Sequence, residues 1–285
     1  MNSPEKTDVD LSPYDHAPRF MAFEQHQHEL TTRLETLLLQ SEAQPVEVND
    51  PEGHLLLSEE EISKLWGLFP QGARARAIPN PPVIETGQPL WFAHNSSSVG
   101  PTITNNVQEA LSLTAHAMAK TNNRTDEDGA LIGTDIDAYE MPENGFSDKV
   151  KRLVQAGVIV HELAHTVTAF DLWSQDPERQ LVFPNGNVVF AAEWISAFAN
   201  AAEEKISISR YASAYRDESN AFPRKGESLV IGAGVSEELA ESITAKLLGF
   251  IFGPHGLTFQ PFKDREDICE GVQAYLNSTL LPTVH

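Results

Sequence analysis

Val158-Ile159-Val160-His161-Glu162-Leu163-Ala164-His165-Thr166-Val167-Thr168-Ala169-Phe170 reads as an apolar helix that carries two imidazoles and a carboxylate within one turn. Four residues advance a helix by about 400°, so His161 and His165 lie about 40° apart on one face. Both rings can therefore reach a single metal ion, and neutral imidazole is a good zinc ligand. Glu162 is offset by one position, close enough to meet a water at that metal without entering its coordination sphere, which is where a general base belongs. The flanking Val158, Ile159, Val160, Leu163 and Ala164 make this a core helix. Two histidines and a carboxylate buried there without partners would be costly. The competing reading is a pair of structural histidines satisfied within the core.

Outward from this helix, Ser147 is a candidate N-cap for an element running from about Asp148 to Phe170. Upstream, Ala130 to Tyr139 (ALIGTDIDAY) predicts a strand, Thr121 to Asp128 a loop, and Thr104 to Lys120 an amphipathic helix. Pro142, Asn144 and Gly145 turn the chain. Downstream, LVFPNGNVVF (Leu181–Phe190) predicts a β-hairpin, with Asn185-Gly186 supplying the turn. Helical patterns return at about 191–206, 235–252 and 265–279. In the N-terminal part, Phe20 to Leu39 has helical spacing and Pro45 to His54 reads as a loop. Ser58 with Glu61 forms a capping-box signature for a short helix that Pro70 stops. Trp91 to Asn95 (WFAHN) is a further strand candidate. The expectation is an α+β fold: a small twisted sheet packed on the HExxH helix, with a helical C-terminal subdomain. Residues 1–20 read as a flexible acidic tail. Residues 21–285 read as one catalytic domain, with 21–100 its helical and extended N-terminal part and 101–285 its catalytic core.

Composition narrows the function. Of 285 residues, 20 are Lys or Arg and 41 are Asp or Glu, a formal charge of −21. An acidic surface argues against a phosphate backbone as partner, so nucleic-acid binding is set aside. A basic protein substrate or partner suits it better, although solubility alone also explains such a charge. The single cysteine, Cys269, excludes an intrachain disulfide framework and a cysteine-based zinc knuckle. No run of about 18 apolar residues predicts a membrane span. MNSPEKTDVDLSPYDHAPRF lacks the basic-then-apolar order of a Sec signal peptide. This, with the lack of disulfides, suits a cytoplasmic protein or one delivered by a dedicated export apparatus.

A zinc site needs a third protein ligand, and several residues are candidates. Asp171 stands six residues after His165, where HExxHxxGxxD sites place an aspartate, but Thr168 occupies the position of the required glycine. Glu193, Glu203 and Glu204 lie on the next helical segment. Glu237-Glu238-Leu239-Ala240-Glu241 offers two carboxylates four apart on a helix that also carries Leu239, Ile243, Leu247 and Leu248. One of that pair can bind metal while the other orients a ligand histidine. The alternative is a solvated acidic first turn favoured by the helix dipole.

HELAH followed by RYAS and EELAES resembles the gluzincin zinc peptidases, in particular those sharing the ExxAE signature of the anthrax lethal factor catalytic domain. The resemblance implies a zincin fold binding Zn²⁺, with Glu237 as third ligand, Glu241 supporting the site and Tyr211 stabilising the transition state. Ser213 to Val235 intervene between that tyrosine and the glutamate, a longer gap than the family's usual one, and Tyr215 is the nearest rival. TDIDAYEMP, upstream of the helix, is similar to the segment preceding HExxH in NleC-type effector proteases. Those enzymes use a tyrosine as a metal ligand. Both resemblances cover roughly residues 130–250.

One signal competes. LVIGAGVS (Leu229–Ser236) copies the opening of a dinucleotide-binding fingerprint, but Glu237 stands at the third glycine position, where its charge would repel pyrophosphate. The reading that best joins these residues is a zinc-dependent endopeptidase, an effector or toxin in the NleC-type comparison. In it, Glu162 serves as base, Tyr211 assists, and His161, His165 and Glu237 hold Zn²⁺. An extended substrate is expected to pair with the exposed edge of the 130–139 strand. The alternatives are a non-catalytic module, zinc-stabilised or acidic, that binds protein, and a dinucleotide-binding protein.

Overall fold

Helix α4 (Asp148–Trp173) is the element around which the chain is built, and its sequence explains why. Leu153, Ala156, Ile159, Val160, Leu163, Ala164 and Val167 are buried almost completely, so the helix is apolar on nearly every side. The computed structural model describes residues 17–77, 82–87, 119–139, 147–173, 179–205, 233–252, 259–261 and 266–282. Its order is α1 (Ala17–Gln40), β1 (Glu47–Asn49), α2 (Glu59–Gly67), α3 (Gln71–Arg76), β2 (Val83–Gly87), β3 (Ala119–Thr125), β4 (Leu131–Tyr139), α4, β5 (Gln180–Val182), β6 (Val188–Phe190), α5 (Ala191–Lys205), α6 (Ala233–Leu248), β7 (Phe250–Phe252), β8 (Phe259–Pro261), α7 (Glu266–Leu276) and β9 (Thr279–Leu280). Helix α4 touches α1, α2 and α3, the β3–β4 pair, α5 and α6. The window Asp148–Asp171 has a mean hydropathy of 1.2, enough for a membrane span by composition, yet 72% of it is buried inside the fold. It is a core helix.

The fold is mixed α and β, as the sequence predicts. Its main sheet has strand order β1-β2-β4-β3, with β1, β2 and β4 parallel and β3 antiparallel to β4. Ile84, Ile136 and Ala138 are buried within this sheet's core side. Three expectations are corrected here. Thr121 to Thr125 is strand rather than loop, and Ala119-Lys120 opens that strand instead of closing a helix. The segment pairs because its side chains find partners on β4: Asn122 Nδ2 donates to Asp137 Oδ2 (2.7 Å), and Arg124 lies 3.1 Å from Asp135. Residues 47–49, expected in a loop, form β1 on β2. The 130–139 strand has no free edge, because β4 is flanked by β2 and β3. The edge beside α4 is β3. The rest of the expected 104–120 helix, the Trp91–Asn95 strand and the Pro142–Gly145 turn lie outside the described residues.

Local chemistry behaves as read in two places, the capping box of α2 and the β5–β6 hairpin, whereas the helical pattern expected to about residue 252 stops at Leu248. Ser58 accepts from the Glu61 backbone amide while the Glu61 carboxylate accepts from the Ser58 amide, closing the capping box of α2. The chain then enters α3 directly at Pro70, an element the sequence did not predict. In the β5–β6 hairpin, Gly186 takes φ 83° and donates to the Phe183 carbonyl, so Pro184-Asn185-Gly186 is a three-residue loop ending in a left-handed glycine. At the end of α6, Gly249 has φ 74° and donates to the Ala245 carbonyl. The Arg33 guanidinium of α1 occupies the space where a side chain at 249 would stand and donates to the Leu248 carbonyl. A cation thus caps the negative end of α6 and ties it to α1.

Behind α4, Trp194 of α5 stacks on Tyr275 of α7 with centroids 4.9 Å apart, and on Phe198 at 5.3 Å. The Tyr275 hydroxyl donates to Asp171 Oδ2 over 2.7 Å. Burial, then the adjacent Asp171 carboxylate, hold the Tyr275 phenol well above its ordinary range; Arg76 acts in the opposite sense. Because the folded form keeps this proton, its stabilising effect is complete below the unfolded tyrosine value of about 10 and is lost as pH rises above it. Denaturation followed from about pH 8 to about pH 11 should therefore show an alkaline decline that is shallower in Tyr275→Phe.

Candidate metal centre

His161 and His165 meet as the helical spacing requires. Their rings are edge-to-face, with centroids 4.7 Å apart and an interplanar angle of 81°. The two Nε2 atoms are 3.0 Å apart. Tetrahedral zinc with Zn–N bonds of about 2.0–2.1 Å sets two nitrogens about 3.3 Å apart, so a widening of a few tenths of an ångström would admit the ion.

The other ring nitrogens face helix α6. Ser236 Oγ lies 3.1 Å from His165 Nδ1, and Glu241 Oε1 lies 3.7 Å from His161 Nδ1, at ion-pair rather than hydrogen-bond distance. Such contacts fix ring orientation and tautomer. An ionised Glu241 draws the His161 proton to Nδ1 and leaves a lone pair on Nε2. His165 can answer in two ways. It can donate from its own Nε2, with the Ser236 hydroxyl donating to Nδ1. Alternatively, Ser236 turns its hydroxyl to accept, and both Nε2 lone pairs then face a shared cation. Two imidazole nitrogens so oriented are of the type and spacing zinc accepts, and among the described residues they are the only two such donors that converge.

Glu162 turns the other way. It is buried, and its Oε2 accepts a 2.6 Å hydrogen bond from Thr121 Oγ on β3. The three residues of the motif thus stand at a seam between sheet edge β3 and helix α6, both packed on α4. Thr121 was not singled out from the sequence. Nothing local marks it, because its role depends on β3 pairing with β4.

Asp171 is removed from the ligand candidates. Six residues beyond His165, it lies about 240° around the helix. There its carboxylate is fully buried 2.6 Å from Arg179 Nε and 3.3 Å from Arg76 Nε. Glu193 sits exposed in the first turn of α5. Glu237 lies in the first turns of α6; its side chain, those of Glu203 and Glu204, and Tyr211, Tyr215 and 229–232 lie outside the described residues. The backbone position of Glu237 is informative nevertheless. On a helix it falls about 100° from Ser236 and about 40° from Glu241, between the two residues that meet the histidines. Among the described residues, no group of three or more His, Cys, Asp or Glu side chains is placed to hold a metal ion. No family model, curated protein or solved structure matches the chain.

Proposed function

We propose that the chain is a zinc-dependent endopeptidase, with His161, His165 and Glu237 as metal ligands and Glu162 as general base. The observation that carries this reading is the orientation of the histidine pair: each Nδ1 is turned to a polar group of α6, while the two Nε2 atoms converge to 3.0 Å. With both Nδ1 atoms turned to α6, the converging Nε2 atoms are the positions from which the pair would share an ion. The bracketing of position 237 by Ser236 and Glu241 supports Glu237 as the third ligand.

Zinc, when bound, supplies Lewis-acid polarisation of the scissile carbonyl and of the attacking water. Glu162 takes the proton released as that water attacks and passes it to the leaving amine. By the gluzincin resemblance, Tyr211 donates to the developing oxyanion. Glu241 and Ser236 keep the imidazoles aimed. A substrate in extended conformation adds to the outer edge of β3, which no strand covers among the described residues, beside Glu162. The charge of −21 favours basic polypeptides among such substrates.

The test is hydrolysis of β-casein or a degenerate peptide mixture that stops with a chelator and returns with zinc. A protein that binds zinc stoichiometrically and cleaves neither is a scaffold; one stabilised by NAD or FAD and indifferent to chelators is a dinucleotide binder. Within the site, Glu237→Ala should weaken zinc binding by at least about 10²-fold, more than the loss of a supporting residue commonly costs. Glu193→Ala should leave it unchanged. Competition with a chromophoric chelator measures both, and the reverse order would move the ligand role to Glu193.

A further inference from the structure

We infer that Thr121 is a positioning residue for the general base, holding the Glu162 carboxylate from the sheet edge that receives the substrate. The inference rests on the zinc endopeptidase reading and adds a residue to it. Glu162 is 8% exposed, so a second partner for its carboxylate must come from the protein. Thr121 supplies that partner at 2.6 Å, and its hydroxyl also lies 3.2 Å from the Glu162 main-chain carbonyl. One hydroxyl carries one proton, so the shorter contact takes it. Oε2 is thereby fixed and Oε1 is left for the reacting water.

Strand alternation makes the arrangement specific. Thr121 points to α4, while the next residue, Asn122, turns to the opposite face and bonds Asp137. Thr121 therefore stands on the helix side of β3, a strand whose outer edge pairs with no other strand among the described residues. A peptide that pairs with β3 meets the strand that already holds the base, so docking of the substrate and placement of Glu162 share one rigid element. A carboxylate displaced by about 1 Å costs about 10²-fold in rate even when the chemistry is otherwise intact.

The experiment compares wild type, Thr121→Ser, Thr121→Val and Glu162→Gln by zinc content, melting temperature, peptide hydrolysis and crystal structures of the zinc-free proteins. Thr121→Val keeps the shape and removes the hydroxyl. Its kcat should fall about 10- to 100-fold with KM within about twofold and full zinc occupancy. Thr121→Ser should restore kcat to within about threefold of wild type. In zinc-free crystals the Glu162 carboxylate should keep its place in wild type and Thr121→Ser and rotate away in Thr121→Val. An unmoved carboxylate in Thr121→Val, an unchanged kcat, or an equal loss in Thr121→Ser overturns the inference. If wild type with zinc cleaves no peptide, the endopeptidase reading fails instead, and the crystals still decide whether Thr121 orients Glu162.

Discussion

Glu162→Gln should retain a full complement of zinc and lose at least about 10²- to 10⁴-fold in kcat, the range a general base contributes. The substitution is close to isosteric. Its amide oxygen can still accept the 2.6 Å hydrogen bond from Thr121, so the side chain has reason to stay where it is. What disappears is the capacity to take a proton at neutral pH. Neither histidine contact to α6 involves Glu162, so metal binding should persist. Metal analysis alongside peptide hydrolysis checks both halves. Full activity in this variant would remove Glu162 from the chemistry, and loss of zinc would make it a structural support of the histidines.

The largest stability effect should come from the other face of the same helix. Asp171→Asn leaves Arg76 and Arg179 without the carboxylate that compensates them, in a place where Asp171 itself is 3% exposed and Arg76 also 3%. Removing one partner of a buried ion pair costs about 3–5 kcal/mol, because the remaining charge has no water to turn to. The amide keeps a single acceptor oxygen, so it can no longer accept from both the Tyr275 hydroxyl and Arg179 Nε. Arg76 further bonds the Ser278 hydroxyl and the Tyr275 carbonyl, so the loss would loosen the joint between α3, α4 and α7. Urea denaturation of the zinc-free protein measures the effect. A zinc-free protein of unchanged stability that no longer binds zinc would return Asp171 to the ligand candidates.

These two residues show how far a sequence can be read. HELAH fixes its own geometry, because helical periodicity alone turns His161 and His165 to one point. The capping box at Ser58 and the hairpin at Asn185-Gly186 are equally local, and both stand as read. Asp171 was legible only by elimination: Thr168 denies it the turn that a ligand would need, and the two arginines that occupy it come from 95 residues upstream and 8 downstream. Strand β3 is not legible locally, because Thr121-Asn122-Asn123-Arg124 is a polar run with turn-forming residues and its strand character comes from cross-strand partners on β4. The same polar run conceals Thr121, and with β3 paired on it the 130–139 strand has no edge left for a peptide.

Sequence by itself determined the helix, the paired imidazoles and the adjacent carboxylate, since each depends on spacing within a few residues along one rigid element. Tertiary structure decided what faces them: Ser236 and Glu241 from one side, Thr121 from the other, and the withdrawal of Asp171 into an arginine clamp. The physical reason is range. Helical phase is set by backbone hydrogen bonds four residues apart, whereas the partner of a buried polar group is chosen by whichever segment, however distant in the chain, packs against it and relieves the cost of its burial.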